Sequence, residues 1–155
     1  MKKLPPFEKV YEAYSALADG RVTLCPDERL ATVVSSNGEK SYTVVWDEAH
    51  TAYSSSDNAT YWQGYAGYPV IAVLMEQGLV PFDHAVAAGF AGIDWAELNE
   101  RFRRDYAQAA RAVIAERHLD AAGIERAARA AYDALAALDI AIKRGSARPP
   151  KTKKD

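Results

Sequence analysis

Hydrophobic residues recur along this chain first at helical spacing and then at strand spacing, and the change of period divides it into elements. Phe7, Val10, Tyr14 and Leu17 lie on one face of a helix. Pro5-Pro6 before them supplies a fixed-φ start and Gly20 after them a left-handed stop, so the spacing predicts a first helix with one apolar face. β structure follows, with Arg21 to Leu24, a turn at Cys25-Pro26-Asp27-Glu28, a strand from Arg29 to Ser35 and another from Lys40 to Trp46. Asn37-Gly38 between the last two is a strong hairpin signal, because both residues tolerate the positive φ of a type I′ turn. A turn there sets Ala31 opposite Val44 and Val33 opposite Tyr42, with Trp46 on the same face. The other face, with Leu30, Thr32, Val34, Ser41, Thr43 and Val45, is more polar. Asp47 to His50 then turns the chain into a short strand, Thr51 to Ser54.

The helical period returns at Pro69, where Val70, Ile71, Val73 and Leu74 before Gly78 predict a short core helix. Residues 54 to 68 are expected to form irregular turns capped by Ser56, Asp57 or Asn58, and a brief helix is expected from Phe82 to Ala88. Asp94-Trp95-Ala96-Glu97 reads as a capping box with Ile93 and Leu98 as its hydrophobic staple. Trp95, Leu98, Phe102, Tyr106, Ala109 and Val113 continue one helix, and Ile124, Ala128, Ala131, Leu135, Leu138 and Ile142 form a second. The two are expected to pack through an alanine-rich seam. The fold class is therefore α+β: an N-terminal helix, a small antiparallel β-meander of three or four strands, a short core helix and a C-terminal antiparallel helical hairpin.

Composition adds limits. With 155 residues, 49% hydrophobic and 26% charged, the chain is one ordinary domain that needs neither metal nor disulfide to fold. Cys25 is alone and has no internal partner. No segment approaches about eighteen unbroken apolar residues, and MKKLPPFEKV lacks an apolar run before its prolines, so a cytoplasmic location and no membrane contact are expected. The net charge of -2 hides an asymmetry: residues 1–142 carry 13 basic against 20 acidic residues, while KRGSARPPKTKKD carries six basic and one acid. The expected organisation is a single domain over residues 1–144 and a disordered basic tail over 145–155. Mixed signs along the last helices, as in Glu97 with Arg101, leave that tail as the only unopposed cationic element.

The stretch AYSSSDNATYWQGYAGYPVIAVLMEQG, residues 52–78, carries the candidate chemistry. A hairpin, SYTVVWDEAHTAYSSS, runs into a loop and then a helix reading IAVLM, and over residues 40–78 this resembles the SWIM family of small zinc-binding modules. Ser54 and Ser56 stand at that family's C-x-C positions, and Tyr68 and Val70 where its C-x-H would fall. All four ligands are replaced, so the resemblance implies a metal-free module in which Tyr68, Trp62 and the serine cap hold by packing and hydrogen bonds what an ion would hold. It also implies contacts with nucleic acid or protein. Candidate binding residues are Ser54, Ser56, Asp57, Tyr61, Trp62, Tyr65 and Tyr68, with Lys151, Lys153 and Lys154 of the tail.

Around Gly64 and Gly67 the four aromatics could stack bases, as single-strand binders do. Yet no arginine or lysine lies between Lys40 and Arg101, and a phosphate-tracking groove needs positive charge beside its rings, which argues against one unless the fold brings basic residues in from elsewhere. Packing in a small core is the favoured reading, with Trp62 and Tyr68 interior. Catalysis has thinner support. His50, His84 and His118 are isolated, a Ser54–Ser56 nucleophile with His50 or His84 and Asp57 lacks a G-x-S-x-G elbow, and no phosphate-binding glycine loop occurs. The function read from the chain is a non-catalytic interaction or assembly module of a bacterial-type cytoplasmic protein, without cofactor or metal, acting through a protein partner or self-association. A nucleic-acid-binding accessory protein using the basic tail is the alternative, and a small hydrolase-like enzyme with a Ser/His site is a second.

Overall fold

The proline pair and Gly20 bound the first helix. In a computed structural model, which describes residues 3–150, α1 spans Lys9–Ala18 and the chain leaves it through Gly20 at φ 66°. Every residue from Lys9 to Ala16 is buried, so the one apolar face expected for α1 is corrected to burial on all sides. Helix α2, Tyr68–Glu76, is apolar from Pro69 to Met75 and packs between α1 and the sheet. Helices α3, His84–Ala88, and α6, Ala121–Ala137, cover α1 elsewhere.

Strands β1 (Val22–Cys25), β2 (Leu30–Val34), β3 (Ser41–Trp46) and β4 (Ala52–Ser55) form an antiparallel meander. Its register is the expected one, with Ala31 against Val44 and Val33 against Tyr42. Ala31, Val33, Val44 and Trp46 are buried. The turn is not the expected type. Gly38 has φ 77° but Asn37 does not share a positive φ, which a type I′ turn requires. The loop closes instead on Ser35 and Lys40. Asn37 Oδ1 accepts from Ser35 Oγ (2.8 Å) and Glu39 N (3.0 Å), and Ser35 Oγ accepts from Lys40 N (3.0 Å). A longer loop centred on the same residues leaves the pairing unchanged, which is why the register held although the turn did not.

A fifth strand, β5 (Ala141–Ile142), runs parallel to β4, so the all-antiparallel meander is corrected to a mixed sheet ordered β1-β2-β3-β4-β5. Ala141 N donates to Thr51 O (2.7 Å) and Lys143 N to Tyr53 O (2.8 Å), which pairs an otherwise open strand edge. Ile142 is therefore not helical. Helix α6 ends at Ala137, and Leu138 is already extended.

The expected long helix from Trp95 is two helices, α4 (Trp95–Arg101) and α5 (Tyr106–Glu116). Arg103 and Arg104 between them are left-handed, at φ 53° and 64°. Asp94, Asp105 and Asp120 cap α4, α5 and α6 by accepting from Glu97 N, Gln108 N and Gly123 N. The capping box is half made, since the Glu97 carboxylate turns to Arg101 at 3.6 Å. The alanine seam expected between the last two helices is replaced by α6 on α1. Ile124, Ala128, Ala131 and Leu135 face inward, and Tyr132 Oη donates to Pro5 O (2.8 Å). No helix among the described residues is long and apolar enough to cross a membrane.

Ser15, fully buried, ties three elements: its hydroxyl donates to Phe90 O (2.5 Å) and accepts from Trp95 Nε1 (2.7 Å). Ser15→Ala strands both partners in the interior, and a loss of roughly 2–4 kcal/mol in urea unfolding is expected. At the β3–β4 turn, Thr51 Oγ1 donates to the Asp47 carboxylate, whose other oxygen accepts from Ala52 N and Thr51 N; together they pull its pKa down to about 2. A depressed carboxylate stabilises fully above its unfolded value of about 4, and that contribution is lost as pH falls. The gap in Tm between the native chain and Asp47→Ala should hold from neutral pH to about 4 and close as pH falls through about 2.

Candidate functional site

One buried carboxylate anchors the chain after β4. Asp57 accepts from Ser55 Oγ (2.5 Å) and Thr60 N (3.0 Å), and its carbonyl accepts from Tyr61 N (2.9 Å). Thr60 Oγ1 accepts from Gly67 N (2.9 Å), the residue that opens α2. Gly67 lies so close to this network that a Cβ would collide with Asp57 Oδ2, so glycine is required by proximity and not by φ. Ser56 is buried, its Oγ accepting from Thr43 N (2.9 Å). Ser54 is half-buried against Gly145. Of the residues at the SWIM ligand positions, Tyr68 sets its ring edge-on to Tyr42 at 6.3 Å and Val70 is buried in α2. Burial pushes the Tyr68 phenol well up. No group of three or more His, Cys, Asp and Glu among the described residues is placed to hold a metal ion.

With its base held in this way, the loop turns its rings outward. Residues Ala59–Gln63 make a wide helical turn that ends at a left-handed Gly64. Trp62, expected to be interior, is 61% exposed, because the turn buries Thr60 and leaves the opposite side to solvent. Tyr61 and Tyr65 are half-buried, and the Tyr61 and Trp62 rings are near-perpendicular at 4.7 Å.

The gap in positive charge between Lys40 and Arg101 is filled by the fold, since cations arrive from both ends of the chain. Arg144 Nε donates to Tyr61 O (3.1 Å), and its guanidinium lies 4.7 Å from the Tyr61 ring centroid and 5.1 Å from that of Trp62. Lys3 Nζ donates to Gln63 O (3.0 Å) and lies 5.6 Å from the Tyr65 ring. Pairing β5 with β4 is what delivers Arg144. Lys151, Lys153 and Lys154 lie outside the described residues.

Behind Tyr65 is a polar cluster that the sequence reading missed. Lys9 Nζ sits 3.1 Å from Glu12 Oε2 and 4.4 Å from the Tyr106 ring centroid. Burial alone would push the Lys9 ammonium down, but the Glu12 carboxylate with the Tyr106 phenol holds it above its ordinary value. Burial pushes the Glu12 carboxyl up against the pull of Lys9 and of a hydrogen bond from Asn99. The available signal was the polar series Lys9, Glu12 and Ser15 at spacings of three along a helix whose other positions are apolar.

Of the serine-hydrolase alternative, Ser55 and Asp57 are hydrogen-bonded but the histidines are held elsewhere. His50 Nδ1 is 3.2 Å from Tyr53 Oη, His84 packs on Phe82, and no hydrogen bond joins either histidine to Ser54, Ser55 or Ser56 among the described residues.

A family model described as "Uncharacterised conserved protein UCP014422" matches residues 2–141. No curated protein and no solved structure matches the chain.

Removing one member of the Lys9–Glu12 pair leaves the other buried without its charge partner. Lys9→Met or Glu12→Leu alone should cost about 3–5 kcal/mol, and the double variant much less than the two together. Additive losses in a denaturant-based double-mutant cycle would show that the pair is not coupled.

Proposed function

We propose that this chain, which belongs to the family of uncharacterised conserved proteins UCP014422, is a non-catalytic interaction module that receives a polyanionic partner on the loop Tyr61–Tyr65. The observation that carries the reading is the exposed Trp62 ring with Arg144 against it. An indole left 61% exposed on a loop whose backbone is tied down beneath it has no packing role to account for it. Residues 58–68 contain no acid, and neither Lys3 nor Arg144 is paired with a carboxylate among the described residues. The site is thus a local cationic patch on an acidic body. The likeness of residues 40–78 to SWIM modules agrees in kind, because those are associated with nucleic-acid and protein contacts.

A second reading, self-association through the outer side of α6, has one observation in its favour. Ala122, Arg126, Arg129, Ala130 and Asp133 line a shallow hollow of about 570 Å³ there.

Chromatography on phosphocellulose tests the first reading. The native chain is expected to be retained at low salt, and Arg144→Glu and Lys3→Glu to elute earlier, whereas Arg111→Glu on the exposed side of α5 should not. Trp62→Ala should leave stability within about 0.5 kcal/mol of the native chain. Retention indifferent to Arg144 and Lys3 would sink the reading, and sedimentation as a monomer would remove the second one.

A further inference from the structure

We infer that the polyanion taken by this loop is single-stranded nucleic acid, with an unpaired base stacked on Trp62 and its flanking phosphates met by Arg144 on one side and Lys3 on the other; this rests on the reading above.

Charge alone would be satisfied by any polyanion, and the rings are what narrow the class. Trp62 is the exposed ring of a cluster whose other two rings, Tyr61 and Tyr65, are half-buried, and an indole face is a platform for any base that is free of its partner. A base inside a duplex offers no such face, and the site presents no helix or ribbon of a shape to enter a major groove. The two cations lie near different rings of the run: Arg144 is bonded to the carbonyl of Tyr61 and near the Tyr61 and Trp62 rings, and Lys3 is bonded to that of Gln63 and near the Tyr65 ring. A strand laid across the loop would meet charge, ring and charge in turn. Because Arg144 spends its Nε on Tyr61 O, its two terminal amino groups remain to reach a phosphate while its guanidinium stays beside the Tyr61 and Trp62 rings. The loop is already held in place by Asp57, Thr60 and Gly67, so binding need not order it.

The chain has three tryptophans, and Trp46 and Trp95 are 5% and 4% exposed, so quenching by a ligand reports on Trp62. The probe is oligothymidylate of about 12 nucleotides, a length suited to single-strand sites and free of self-structure. It is expected to bind the full chain and quench its fluorescence, while a duplex of equal length binds more weakly without quenching. Trp62→Ala should weaken binding roughly 5- to 150-fold at an unchanged salt slope, and Trp62→Phe should restore part of the loss. Arg144→Gln should reduce the slope of log K against log salt by about 0.7, one phosphate's worth on a single strand. Binding of the oligomer that ignores Trp62→Ala, or a duplex bound as well as the single strand, overturns the inference. If the oligomer fails to bind while phosphocellulose retention still depends on Arg144, this inference falls and the polyanion reading stands; if both fail, both fall.

Discussion

A helix buried on every side cannot carry polar side chains without partners, and α1 carries Lys9, Glu12 and Ser15 on one stripe. Much of the remaining architecture can be understood as the supply of those partners. Ser15 meets Trp95 and Glu12 meets Asn99, both from α4, while Lys9 meets the ring of Tyr106 at the start of α5. The stripe is thus read in reverse order by the C-terminal helices, as it would be by elements running antiparallel to α1. The break between α4 and α5 belongs to the same arrangement. Left-handed Arg103 and Arg104, with the Asp105 cap, re-aim the chain so that Tyr106 can lie under the Lys9 ammonium.

The same cluster borders the loop that carries the exposed rings. Tyr65 lies close enough to Lys9 for the two to influence each other's ionisation, and burial pushes the Tyr65 phenol up. On its other side the loop is bound to the end of β4 and the start of α2 through Asp57, Thr60 and Gly67. Interior bonds hold its two ends, and its middle faces solvent. The binding surface proposed for this loop would benefit from that division, since groups fixed before binding lose little entropy on contact. Arg144 and Lys3 complete the surface from opposite ends of the chain, and they give it a sign opposite to that of the body on which it sits.

The parts of this protein legible in the sequence are those set by interactions over a few residues. Alternation around Asn37-Gly38 determined the β2–β3 register, because one buried face makes a one-residue slip costly whichever turn closes the hairpin. Pro69 and Gly78 bracketed α2, and Asp94 capped α4 as its local pattern implied. The α4–α5 break had a local sign too, Asp105 three residues before Gln108, but the apolar period running through it was the stronger pattern. Tertiary structure alone decided the rest. Whether Trp62 or Tyr68 faces the core depends on which side of an irregular turn is covered, and no period expresses that. The burial of Lys9 and Glu12 required α1 to be enclosed by elements distant in sequence. The pairing of Ala141 with Thr51, and with it the arrival of Arg144 at Tyr61, depends on a strand edge satisfying its backbone with whatever segment reaches it. The sequence showed a gap in positive charge around the aromatic loop, and only the folded chain closed it, because charge acts through space and not along the backbone.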